Sequence, residues 1–159
     1  MTGRGSVLAA RILAELEEMA VLVKRAEIGW AKARESHDDY FIDGVALNLR
    51  GFYSSLERIF ERIAAAIDGT VPSGANWHQE LLGQMVIEIP SERPAVISAS
   101  LREELEAYRG FRHIVRNVYT FQLRPEKIAP LIENLPRVFD AADREISAFA
   151  RFLQSQSSR

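Results

Sequence analysis

Apolar residues recur along this chain at steps of three and four, with charged residues filling the intervals, over almost its whole length. From Ser6 to about Arg34 the stripe is Leu8, Ile12, Leu16, Met19, Val23, Ile28 and Trp30, which predicts one long amphipathic helix. Gly29 is its weak point, at about 1 kcal/mol relative to alanine in a helix interior, and a natural place for a bend. The cluster Glu35-Ser36-His37-Asp38-Asp39 then offers the carboxylates preferred at a helix start. A second helix is predicted from about Asp38 to Ile67, on Phe41, Val45, Leu47, Leu49, Phe52, Tyr53, Leu56, Ile59, Phe60, Ile63 and Ile67. That stripe is dense enough for burial on more than one side. Gly44 and Gly51, two turns apart within it, suit close approach by another helix, and Asp68-Gly69 with the polar run to Gly74 ends it.

A short third helix is expected from Asn76, as cap, to about Ile87, where Pro90 and Pro94 forbid continuation. Ser100 and Glu103 form an S-x-x-E capping-box pattern, which opens a fourth helix from about Leu101 to Phe121. Leu123-Arg124-Pro125 closes it, and Pro125 or Pro130 opens the last helix, which Pro136 either kinks or delays. Residues 1–5 and 154–159 are expected to fray. No stretch alternates with period two and no repeat stands out. The fold class is therefore all-α: an up-and-down bundle of four to five helices, one domain over residues 1–159.

Composition narrows the chemistry. At 159 residues and 47% hydrophobic the chain buries a core without staples. The absence of cysteine removes disulfides, thiolate metal sites and cysteine nucleophiles together, and suits the reducing cytoplasm expected as its location. Twenty Lys and Arg against 22 Asp and Glu leave a net charge of -2, so any nucleic acid must be held by a local patch. Arg11, Glu15, Glu17 and Glu18 interrupt what a signal peptide would need as an apolar core, and no run approaches the roughly 18–20 residues of a bilayer crossing. There is no phosphate-cradling glycine loop, no H-E-x-x-H and no E-x-x-H pair. His37, His78 and His113 lie in three different segments, and the first two read as exposed or capping side chains near helix starts. No metal and no cofactor is expected.

A local patch does exist on the fourth helix. Between Arg109 and Lys127 stand five basic residues, Arg109, Arg112, Arg116, Arg124 and Lys127, against one acid, Glu126. At about 100° per residue, Arg112, Arg116 and Tyr119 fall in a sector of roughly 60°, with Arg109, His113 and Asn117 further round. Arg112 sits at the margin of the apolar stripe, where a guanidinium is partly desolvated and its charge less screened. Two readings stand side by side. The basic residues complement the negative end of the helix dipole, or, with Tyr119, Asn117 and the neighbouring rings of Tyr108 and Phe111, they form the mixture of cations and stacking surface that single-stranded nucleic acid favours.

The run from Tyr108 to Tyr119, with Arg112, Asn117 and Tyr119 at fixed spacing, resembles the signature of the HEPN superfamily, in particular HepT-like ribonuclease toxins. That signature is an arginine, four to six residues, then a histidine, often followed after one residue by a tyrosine. Arg112 matches the arginine and Tyr119 the tyrosine, while position 117 holds Asn. FYSSLERIFERIAAAIDG from Phe52 and WHQELLGQMVIEIPSERPAVIS from Trp77 are also similar to the corresponding parts, so the resemblance spans roughly Tyr40 to Phe152. It implies an all-α homodimer in which two motif helices meet across a cleft and cut RNA without a metal. The implied partner is a minimal nucleotidyltransferase antitoxin that silences the toxin by attaching AMP to the motif tyrosine, here Tyr119.

On that reading Arg112 is the fixed cation on the phosphate, with Arg109, Arg116 and Arg124 as further phosphate contacts. Asn117 can orient a phosphate oxygen or a 2′-hydroxyl but cannot titrate, and loss of a general acid or base costs about 10²–10⁴ in rate. His113, four residues before it, is the local substitute for proton transfer. A non-catalytic subunit that binds nucleotide or RNA and partners a nucleotidyltransferase is the alternative, and a purely structural helical module the third.

Overall fold

A computed structural model describes residues 3–117 and 123–157 of the chain. Among the described residues five α-helices make up the fold: α1 (Gly3–Ser36), α2 (Tyr40–Ile63), α3 (Trp77–Gln84), α4 (Ala99–Asn117) and α5 (Pro125–Ser157). The all-α expectation holds, and α1 and α5 run through residues 3–5 and 154–157, where fraying was expected. α1 lies along both α2 and α5, α4 packs on α2 and α5, and short α3 bridges α2 and α4.

The predicted stripes form the core, except that Leu47 of α2 is exposed. Leu8, Ile12, Leu16, Met19 and Val23 of α1 meet Leu49, Phe52, Leu56 and Ile63 of α2 in one cluster with Leu135, Val138, Ile146 and Phe149 of α5. Trp30 is only partly buried and Ile28 stays exposed, so the apolar seam of α1 thins toward its end. Gly29 and Gly51 are the close approaches: a methyl group at Gly29 would stand 3.1 Å from Val45, and one at Gly51 would stand 3.2 Å from Leu22. Gly44, expected to join them, faces open space instead. α1 continues unbroken through Gly29, because Val45 fills the room that the missing side chain leaves.

Helix ends differ from the pattern in instructive ways. Ser98, not Ser100, caps α4: its Oγ accepts the N–H of Leu101 at 3.1 Å. The carboxylate that a capping box would take from the third helical position comes from another helix, since Glu145 of α5 accepts the N–H of Ser98 at 2.6 Å and its hydroxyl at 3.1 Å. Pro130 and Pro136 lie inside α5, which is one continuous helix from Pro125. Burial of Ile128, Leu131, Leu135 and Val138 along that stretch supplies the packing that holds it helical.

α2 ends in a wider π-type turn, Ala64–Asp68, closed by Gly69 at φ 71°. Asp68 there receives Arg93 Nε at 2.6 Å and Nη2 at 2.9 Å, while Gln84 donates to it at 2.8 Å. Arg93 also donates to the carbonyls of Ile87, Pro94 and Gln84, so this guanidinium is satisfied on every side and fully buried. The cluster clamps the proline-bearing connection between α3 and α4 against the end of α2. α3 stops at Gln84, earlier than expected, because Met85 turns to receive the N–H groups of Val96 and Ile97 at its carbonyl. No helix among the described residues is long and apolar enough to cross a membrane.

Candidate functional site

Glu57 is the feature that the pattern of α2 does not advertise. It falls among Tyr53, Leu56 and Phe60 on a helix buried over most of its circumference, and it is itself buried. A carboxylate in such a place is costly unless both oxygens are paired. Here both are: Oε1 takes Arg112 Nη1 of α4 at 3.0 Å, and Oε2 takes His78 Nδ1 of α3 at 2.6 Å. Ser54, one turn earlier on α2, accepts from Arg112 Nε at 3.0 Å. Three helices thus converge on one ion-paired cluster.

Its outer members stay open. The side chains of Arg112 and His78 keep 23% and 25% of their surface, against 4% for Glu57. Arg112 Nη1 also stands 3.3 Å from His78 Nδ1. Nδ1 at 2.6 Å from a carboxylate carries the hydrogen, so this second approach is a close contact, and Nη1 gives its hydrogen to Glu57. Neither Arg112 Nη2 nor His78 Nε2 takes part in these contacts. The indole of Trp77 lies on the imidazole, ring centroids 3.6 Å apart, and fixes its plane. Behind the cluster, the Tyr53 hydroxyl is buried without a partner among the described residues. Burial first, and then the charge of Glu57, push that phenol far above its ordinary range, so it stays an O–H donor.

The other predicted residues separate. Arg109 pairs within α4 to Glu106, Nη2 to Oε2 at 2.8 Å. Arg124 is exposed between α4 and α5, and its carbonyl caps the start of α5 by accepting the N–H of Lys127 at 3.0 Å. His113 is exposed on α4. Arg116 and Asn117 belong to the last turn of α4, but their side chains, like all of Tyr119, lie outside the described residues. Two expectations are corrected. Tyr108 and Phe111 are buried and offer no stacking surface to a base: the Tyr108 hydroxyl donates to the Leu131 carbonyl at 2.7 Å and its ring meets Phe52 edge-on. His78 is no exposed cap but a half-buried partner of the motif arginine. Sequence reasoning missed Glu57, Ser54 and His78, although a carboxylate inside an otherwise apolar helix sector was a usable sign.

Among the described residues no group of three or more His, Asp or Glu gathers as a metal site would require. Arg112 and His78 together present one fixed cation and one titratable nitrogen at the edge of a buried carboxylate, a set suited to binding an oxyanion and moving a proton beside it. In comparison with known proteins, residues 44–153 match the family model described as HepT-like protein, nearly the stretch over which the resemblance was expected. No curated protein and no solved structure matches the chain.

Proposed function

The chain belongs to the HepT-like family, and from that premise we propose that it is a metal-independent RNA endonuclease toxin, acting as a homodimer and silenced by a cognate minimal nucleotidyltransferase. The observation that carries this reading is the guanidinium of Arg112. Ser54 and Glu57 pin it on two edges through Nε and Nη1, and a quarter of it stays open. A planar cation held in that way meets a phosphodiester with little reorganisation, and partial burial strengthens its hold on charge that grows during cleavage.

In this proposal Arg109, Arg116 and Arg124 hold flanking phosphates, and Asn117 orients a phosphate oxygen or the 2′-hydroxyl. An AMP group on Tyr119 adds bulk and a negative phosphate seven residues from Arg112, which blocks the RNA phosphate. Asn117 has no proton to give at neutral pH, so proton transfer falls to a histidine, either His113 or His78. The same Asn favours a second reading, a non-catalytic subunit that binds nucleotide or RNA and partners the nucleotidyltransferase.

Expression of the chain without its genomic neighbours tests the first reading. Growth arrest that Arg112→Ala relieves is the expected result, whereas arrest that persists in the variant contradicts cleavage at this site. Co-expression with a cognate minimal nucleotidyltransferase is expected to add one AMP mass to a peptide that contains Tyr119.

A further inference from the structure

We propose that His78, oriented by Glu57, is the catalytic proton-transfer residue of this site and takes the part that Asn117 cannot play. The assignment rests on the ribonuclease reading above. It starts from tautomer chemistry: a neutral imidazole that donates through Nδ1 carries its lone pair on Nε2. Glu57 Oε2 at 2.6 Å imposes that state on His78, and the Trp77 indole at 3.6 Å holds the ring plane. Nε2 is then the base, beside the guanidinium of Arg112, which Ser54 and Glu57 pin and which stays partly open.

Charge favours the same group. Glu57 and Arg112 cancel while His78 is neutral; with His78 protonated the cluster carries a single positive charge, which matches one phosphodiester. Among the described residues, Glu57 of α2 and Arg112 of α4 are the charged groups in contact with the imidazole. His113, next to Arg112 in sequence, is turned about 100° away from it around α4.

The step is an internal transesterification. The 2′-hydroxyl proton passes to His78 Nε2 as O2′ bonds to phosphorus. The P–O5′ bond breaks with its electron pair on O5′, which takes a proton from water, and His78 later returns its proton to solvent. The products are a 2′,3′-cyclic phosphate and a 5′-hydroxyl end. Arg112 Nη2 holds a non-bridging oxygen throughout, and Glu57 is a positioning residue that acts through the imidazole.

The test is cleavage of a single-stranded RNA oligonucleotide by the purified full chain in excess chelator, with end groups read by mass spectrometry. His78→Gln is expected to lose about 10²–10⁴ in rate while its thermal unfolding stays cooperative. Glu57→Gln is expected to slow cleavage and to displace the acid limb of its pH–rate profile, which a merely structural carboxylate would leave in place. Should both variants misfold, carbethoxylation of the wild-type chain decides: loss of cleavage is expected to track modification of His78, mapped by peptide mass. A wild-type rate in folded His78→Gln, or activity that tracks His113 instead, overturns the assignment while the ribonuclease reading survives. A wild-type chain that cuts no RNA overturns that reading and this assignment with it.

Discussion

Two arginine–carboxylate clusters sit at opposite ends of α3, built from the same chemical parts and finished differently. At the Gln84 end, Arg93 and Asp68 keep 0% and 2% of their side-chain surface, and carbonyls take up the remaining hydrogens of the guanidinium. At the His78 end the carboxylate is as deeply buried, but its arginine and histidine stay open to solvent. A closed pair of this kind specifies a chain path, and nothing in it is left over for a ligand. An open pair holds donors in place without satisfying them, which is what recognition of an incoming anion requires.

Breaking the closed pair has the largest expected effect on stability. Arg93→Ala leaves Asp68 buried beside Gln84 alone and is expected to cost about 3–5 kcal/mol in denaturant unfolding. Arg112→Ala is the sharper contrast. His78 still satisfies one oxygen of Glu57, so the expected loss of stability is about 1–3 kcal/mol, while RNA cleavage falls by far more than the folded fraction does. Gln84→Ala removes one neutral donor from the closed cluster and is expected to cost about 1–2 kcal/mol in the same assay.

Acid is the gentlest probe. Burial raises the Asp68 carboxyl, but the hydrogen bonds from Arg93 and Gln84 and the charge of Arg93 outweigh it and hold the group below the usual aspartate range. The unfolded chain therefore takes up this proton first, and the stability that Asp68 contributes is full above the ordinary aspartate range and lost as pH falls below it. Asp68→Asn is expected to flatten that part of the stability–pH curve measured by thermal unfolding.

Much of the bundle was legible because burial writes a 3.6-residue period into the chain, and the stripes of α1, α2 and α5 follow it. What escaped depended on distant partners. Ser100 looked like the cap because Glu103 follows it, yet Glu145 of α5 completes the cap at Ser98, from 47 residues away. Pro136 looked like a break, yet buried neighbours on both sides carry the helix through it.

The site divides along the same line. Arg112 was visible as a cation at the margin of an apolar stripe, within a motif of known spacing. Its partners were not, since Ser54 and His78 stand 58 and 34 residues away on other helices, and only folding brings them to it. Tyr108 and Phe111 erred the other way: aromatic character beside arginines suggested a platform for bases, and the core claimed both rings.

The most direct measurement is the rate at which purified wild-type and Arg112→Ala chains, both shown to be folded, cleave single-stranded RNA in excess chelator. A loss of about 10²–10³ in the variant is the predicted result, the magnitude found when one donor to a developing oxyanion is removed. Equal rates, or no cleavage by the wild type, would contradict the claim that the open cluster around Glu57 is where this chain handles RNA.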